Sequence, residues 1–130
     1  MTDGKLKILI VEDEIISALF LTKYFNLLGH ECCGFVTKGR DAVTQAEKEN
    51  PDIIFMDIKL ADDIDGVEAA RRILSKRKVG IVFMSAYSDD EIIAPAKNLN
   101  PLAYFLKPLD TEAIREVIEG FLDLQKDNVA

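Results

Sequence analysis

A chain of 130 residues that is 48% hydrophobic and 30% charged has room for one core of ordinary size and needs no disulfides to hold it. A formal charge of −7 argues against a grip on nucleic acid, which takes clustered Lys and Arg, and no apolar run approaches the ~20 residues of a membrane span. Met1–Lys5 has no apolar stretch of signal-peptide type, so a cytoplasmic protein is expected, folded as a single domain over 1–130 with its core in about 6–125.

Strand and helix signals alternate without a break. Lys7–Val11 is a short apolar run rich in β-branched residues, as a strand buried on both faces requires. Glu14–Leu28 carries Ile15, Ile16, Leu19, Phe20, Phe25, Leu27 and Leu28 in a helical distribution, and Gly29 suits its C-terminal cap. Glu31–Val36 reads as a second strand. Its adjacent Cys32 and Cys33 should point to opposite faces, and without CxxC or His spacing they read as reduced structural thiols. Gly39–Glu49 is a helix with Ala42, Val43 and Ala46 inward, stopped by Asn50-Pro51. Asp52–Asp57, almost wholly apolar, is the third strand.

An aspartate-rich loop, Ala61–Asp65, leads through Gly66 to a helix over about Val67–Lys76. The basic residues Arg71-Arg72 and Lys76-Arg77-Lys78 complement the dipole at that helix end and read as a solvated face. Val79–Met84 is the fourth strand. Ser88-Asp89-Asp90 can cap a helix over about Glu91–Leu99, which Pro95 should leave short, kinked or mobile. Leu102–Leu106 is the fifth strand, and Asp110 or Thr111 opens a last helix to about Gln125, with Lys126–Ala130 expected to fray. No internal repeat or linker interrupts the pattern.

Five strands alternating with five helices specify an α/β fold: a doubly wound five-stranded parallel sheet covered on both faces, a (βα)5 sandwich. Of the two common strand orders, the flavodoxin-like 2-1-3-4-5 and the Rossmann 3-2-1-4-5, the first puts the topological switch between strands one and three. Those strands end in Glu12-Asp13 and Asp57, so the acidic residues select it. The fourth strand ends in Ser85 and the fifth in Lys107-Pro108, on the same edge. Three carboxylates about 5 Å apart repel by ~3 kcal/mol per pair at an effective dielectric near 20. A cation among them, or a proton on one, relieves this. Few hard oxygen ligands with room for water favour Mg²⁺ or Mn²⁺ over zinc, and the only histidine, His30, falls at the opposite edge. Lys107 is a counter-charge suited to a phosphoryl oxygen, and Ser85 a hydrogen-bond donor to another.

These residues resemble the receiver domain of two-component response regulators over essentially the whole chain. The matching signatures are Ile8-Leu9-Ile10-Val11-Glu12-Asp13, Ile54-Phe55-Met56-Asp57, Asp65-Gly66, Met84-Ser85-Ala86 and Leu106-Lys107-Pro108. Each is weak alone, but the five in order are specific. The resemblance implies that Asp57 accepts a phosphoryl group from a phosphohistidine on a sensor histidine kinase or phosphotransfer protein. It implies that Glu12, Asp13 and Asp57 hold Mg²⁺ with the backbone carbonyl of Lys59, that Ser85 and Lys107 contact the phosphoryl group, and that the Lys107-Pro108 peptide is cis. Tyr104 matches the switch aromatic, and the surface of the fourth helix, fifth strand and fifth helix would answer to a downstream protein or output domain, or pair as a phosphorylation-dependent homodimer. Lys59 and Tyr87, two residues after Asp57 and Ser85, are expected to hinder water and prolong the aspartyl phosphate.

The chain departs from the commonest pattern in three places. Ala61 stands where proline is usual, Gly66 comes one residue late in a longer and more acidic loop, and Asn100-Pro101 replaces Gly-Ala before the fifth strand. Three other classes fit less well. A Mg²⁺-dependent phosphatase with an aspartate nucleophile would have a second aspartate where Lys59 stands. A nucleotide or flavin binder would have a glycine-rich turn where Glu12-Asp13-Glu14 stands. A phosphorylation-independent interaction module would not need the full set. The last helix is expected to end close to Ala130, leaving a stand-alone regulator or the receiver part of a longer protein as the two readings.

Overall fold

Buried β-branched runs and amphipathic segments take turns along the chain, and each run becomes a strand followed by a helix that covers it. The strands are β1 (Lys7–Val11), β2 (Glu31–Val36), β3 (Ile53–Asp57), β4 (Gly80–Ser85) and β5 (Ala103–Leu106). The helices are α1 (Ile15–Leu27), α2 (Gly39–Glu49), α3 (Gly66–Leu74), α4 (Asp90–Lys97) and α5 (Thr111–Val129). The computed structural model describes residues 4–60 and 62–129, with side chains as far as Gln125, so the readings made at Met1–Asp3, Ala61 and Ala130 lie outside it.

All pairings are parallel and the order is β2-β1-β3-β4-β5, as expected. Alternate residues of the central strands feed two layers. Ile8, Ile10, Phe55 and Met84 pack with Ala18, Leu21 and Phe25 of α1 and Ile114 and Ile118 of α5. Leu9, Val11, Met56 and Phe83 pack with residues of α2, α3 and α4 on the other side. Phe25 meets Phe55 with ring centroids 4.8 Å apart, and both are fully buried. Cys32 packs in the first layer and Cys33 in the second, so the pair do split across the sheet. Burial pushes the Cys33 thiol up to about 11, so it stays protonated and donates to the Ile8 carbonyl at 3.4 Å.

Element ends follow local chemistry. Asn50 closes α2 in the left-handed conformation, φ 51°, its N–H on the Ala46 carbonyl at 2.9 Å. The α4 helix is short, eight residues, and Pro95 within it removes the donor that would reach Glu91. Asp89 stands at its N-cap in extended geometry but makes no side-chain cap bond. The basic residues at the end of α3 and just beyond it are solvated ion-pair partners: Arg71 and Arg72, in its last turn, bond Glu68, and Lys76 lies 3.8 Å from Glu47.

The last helix runs past about Gln125, its expected end, since the backbone remains helical to Val129. Nothing after Gly120 breaks a helix there, as Lys126-Asp127-Asn128 includes neither Gly nor Pro. In α1 most of the apolar residues that mark the helix do not face the core. Ala18, Leu21 and Phe25 do, while Ile15, Ile16, Leu19, Phe20 and Leu27 are exposed. The i, i+3, i+7 spacing of the first three fills the stripe over β1 and β3, which leaves the others outside it.

His30 sits at the opposite edge from the acidic strand ends and serves the fold. Its Nδ1 accepts the Leu6 N–H at 3.0 Å, and burial holds its pKa below the ordinary histidine value. Protonation would remove that acceptor, so the stability contributed by neutral His30 is complete above the ordinary value and is lost as pH falls through the lowered one. Thermal unfolding between pH 7.5 and 5 should therefore show a decline that His30→Gln flattens. Equal declines in the two proteins would assign the effect to other groups.

Candidate functional site

Because β1 and β3 are neighbours with Val11 opposite Met56, the residues that follow them emerge side by side. Glu12 and Asp57 are buried, at 1% and 4% exposure, while Asp13 faces solvent. Carboxylate oxygens of the three lie within 4.8 Å of one another. The Lys107 ammonium bridges two of them, 2.9 Å from Glu12 Oε1 and 2.9 Å from Asp57 Oδ2. The other Asp57 oxygen, Oδ1, accepts the Lys59 N–H at 3.3 Å, and Glu12 Oε2 accepts the Glu14 N–H at 3.1 Å.

Backbone bonds hold these groups in place. Glu12 N–H donates to the Val36 carbonyl at 3.0 Å, tying the end of β1 to β2. Ile58 N–H donates to the Met84 carbonyl at 3.0 Å, and Lys107 N–H to the Ser85 carbonyl at 2.8 Å, so β3 and β5 both continue alongside β4 past their last residues. The Lys107–Pro108 peptide is cis, as expected. Gly66 is required by close approach: its N–H donates to the Ile58 carbonyl at 2.7 Å, and a Cβ there would overlap the Asp57 carbonyl. Asp65 caps α3 through the Glu68 N–H at 2.8 Å, which accounts for the Asp-Gly pair physically.

Burial, and after it contact with Asp57, raises the Glu12 pKa; burial and the Glu12 charge raise that of Asp13. Burial works against the charge of Lys107, but its bonds to Glu12 and Asp57 outweigh it and raise its pKa. One ammonium thus faces three carboxylates, and the pocket is short of positive charge. Hard oxygen donors in that number suit Mg²⁺. No buried side-chain nitrogen or oxygen among the described residues lacks a partner, those of Glu12 and Asp57 included.

The remaining candidates surround this centre. Ser85, 1% exposed, ends β4 between Asp57 and Lys107, and its Oγ accepts the Tyr87 N–H at 3.0 Å. The Tyr104 hydroxyl donates to the Tyr87 carbonyl at 3.0 Å, so Tyr87 joins the serine to the β5 aromatic. The Lys59 ammonium lies over the Tyr87 ring, 5.3 Å from its centroid, which brings together the two side chains singled out beside the acids. Three further features belong to the site: the double engagement of Lys107, the exposed apolar side of α1, and a cavity of about 580 Å³ between them. Glu12, Lys107, Pro108, Ile16 and Phe20 line that cavity. Only a long-range contact reveals such features, apart from the surplus of apolar residues in α1.

Comparison with known proteins agrees with this geometry. The response regulator receiver domain family matches residues 8–119. Transcriptional regulatory protein PdtaR of Mycobacterium tuberculosis is 34% identical over 113 residues, covering 87% of this chain and 55% of that protein. The chain thus spans about half the length of that relative. Sporulation initiation phosphotransferase F of Bacillus subtilis is 30% identical over 122 residues, covering 93% of this chain and 97% of that one. Among solved structures, the signal receiver domain of a modulated diguanylate cyclase from Desulfovibrio desulfuricans G20 superposes with a TM-score of 0.87 at 32% identity, over 95% of this chain and 98% of that one.

Proposed function

Since the chain belongs to the response regulator receiver domain family, we propose that it is a phosphorylation-dependent switch in which Asp57 takes a phosphoryl group from a phosphohistidine on a sensor histidine kinase or phosphotransfer protein. The observation that carries this reading is the buried Asp57 carboxylate, set between Lys107 and two further acids. Glu12, Asp13 and Asp57, with the backbone carbonyl of Lys59, would hold Mg²⁺, which when bound neutralises charge on the phosphoryl oxygens.

An Asp57 oxygen forms the new P–O bond while the P–N bond to the donor imidazole breaks, and the leaving nitrogen takes a proton. Like charges oppose that approach. Lys107 is already at Asp57 Oδ2, where it can pair with an equatorial phosphoryl oxygen as charge spreads over the group. Ser85 would turn its hydroxyl to donate to another, and that rotation would draw its Oγ away from the Tyr87 N–H that it accepts in this structure. Since Tyr87 is bonded to Tyr104, that exchange reaches the α4–β5–α5 surface, where a downstream protein or output domain would read it. The protein catalyses only its own gain and loss of phosphate. The exposed Ile16 and Phe20 of α1, which line one cavity with Pro108 and Leu109, offer an apolar landing for the donor next to the pocket. No described helix is long and apolar enough to cross a membrane. The whole of 1–130 would act as a single receiver domain.

Intact mass after incubation with acetyl phosphate and Mg²⁺ tests the reading: one phosphoryl group is gained. An unchanged mass would favour an interaction module indifferent to phosphorylation. The Lys59–Tyr87 contact supports a long-lived phosphoryl group, because two side chains held together beside the pocket would narrow the approach of water to Asp57. Phosphate loss from Lys59→Asn, Tyr87→Ala protein should run about tenfold faster than from wild type, since a cation–π contact of ~1 kcal/mol and a barrier to water are lost together. Equal rates would dismiss the pair as lifetime determinants.

A further inference from the structure

The segment between β3 and α3 leaves the acidic pocket at Asp57 and returns at Gly66, whose N–H closes the base of the loop on the Ile58 carbonyl at 2.7 Å. Its far side is fastened to a different element. Asp62 Oδ1 accepts the Gly39 N–H at 3.0 Å and Oδ2 accepts the Arg40 N–H at 3.1 Å. Asp63 adds an ion pair with the Arg40 guanidinium at 3.1 Å. These N–H groups open α2 and have no acceptor within that helix. The helix's own N-cap, Lys38, makes no side-chain cap bond. Asp62 therefore caps α2 from 23 residues away. Desolvation opposes its charge, but the N–H groups of Gly39 and Arg40 outweigh it and hold its carboxyl below the ordinary range.

Gly39 belongs to the same contact. A Cβ there would lie 2.5 Å from the Ile64 carbonyl oxygen and 2.9 Å from Ile64 Cγ2, so the loop rests directly on the backbone of the helix. Lys59 thus lies in the chain between two attachments, its own N–H on Asp57 Oδ1 and Asp62 on α2.

We propose that Asp62 is a positioning residue for the metal site: by capping α2 it fixes the loop that presents the Lys59 carbonyl beside Glu12, Asp13 and Asp57. This rests on the reading above, in which that carbonyl and the three carboxylates hold Mg²⁺. Reciprocity follows, because a tie that favours the metal-binding form of the loop is itself favoured by the metal. Mg²⁺ should then slow amide exchange at Gly39 and Arg40, at the start of α2.

Calorimetric titration of the whole chain with Mg²⁺ tests this, with melting temperatures recorded alongside. Asp62→Ala should weaken Mg²⁺ binding about fivefold, the equivalent of one helix cap, and Asp62→Asn should recover most of it by keeping an acceptor. Gly39→Ala should weaken binding from the opposite side, by pushing Ile64 away. Lys48→Gly, exposed in the last turn of α2, should lower the melting temperature and leave Mg²⁺ affinity and the exchange response alone. Wild-type affinity in Asp62→Ala would overturn the proposal while leaving the receiver reading in place. So would a Lys48→Gly protein that loses as much affinity for a similar loss of stability. A wild type that binds no Mg²⁺ would overturn both.

Discussion

Asp57→Asn should fold and gain no phosphoryl group from acetyl phosphate and Mg²⁺, under conditions in which the wild type gains one. The amide keeps the shape of the side chain but has no anionic oxygen to form the P–O bond. Folding should survive because two effects oppose each other. The substitution removes a carboxylate that raises the Glu12 pKa and crowds the pocket. It also removes one of the two partners of Lys107, which keeps Glu12 at 2.9 Å. At 2.9 Å the lost attraction to Lys107 is about 6 kcal/mol at an effective dielectric near 20. The relieved repulsions from Glu12 and Asp13, within 4.8 Å, are about 3 kcal/mol each, so the net change should be within about 1 kcal/mol. Intact mass and thermal unfolding on one preparation measure both. A variant that still gained one phosphoryl group would move the acceptor to another residue, with the exposed Asp13 the first to examine.

Lys107→Met should have the second largest effect, and it separates two roles of one ammonium. Methionine fills much of the space of the lysine stem but brings no charge. Phosphoryl uptake from acetyl phosphate should slow by about 10²- to 10³-fold, the usual cost of removing one preorganised group from a developing oxyanion. Without metal at pH 7.5 the variant should also lose stability, because Glu12 and Asp57 are left buried without their counter-ion. Breaking a fully buried pair costs about 3–5 kcal/mol, and the partial exposure of the lysine reduces this to about 2 kcal/mol. The sign with pH is fixed by Glu12. Its pKa is raised in the fold, so acidification neutralises it early, and the deficit of the variant should shrink toward pH 5. Mg²⁺ should narrow the deficit at neutral pH. Urea unfolding in EDTA and in Mg²⁺ measures this, and a variant as stable as wild type in EDTA would show that the bridge does not compensate the acids.

Much of the architecture is legible because its signals are local. Continuous apolar runs such as Ile53–Met56 can only be central parallel strands, and an acid after the first and third of them decides between two strand orders. The stop at Asn50 and the shortness of the proline-bearing helix likewise depend on a few adjacent residues. The face of α1 was not legible, because Ala18, which is buried, is a weaker apolar signal than Ile16, which is 80% exposed. Which stripe packs is decided by the sheet, and periodicity within the helix cannot report it. The Asp62 cap was hidden for a related reason: its acceptor and donors lie 23 residues apart, and a run of aspartates reads as loop whatever it reaches. At the site, the kinds of residue could be read from strand endings, whereas the twofold bridge of Lys107 depends on side-chain geometry.

The sheet supports the two signs of charge unequally. The acids stand on β1 and β3, each flanked on both sides, and every residue of β3 is buried. The ammonium follows β5, four residues long, paired on one side only and nowhere fully buried. A pull between an added anion at Asp57 and Lys107 would therefore be resolved by the rim giving way while the centre stays put. Such a displacement would run inward, from the edge strand toward β3, so the compliant edge would report the event.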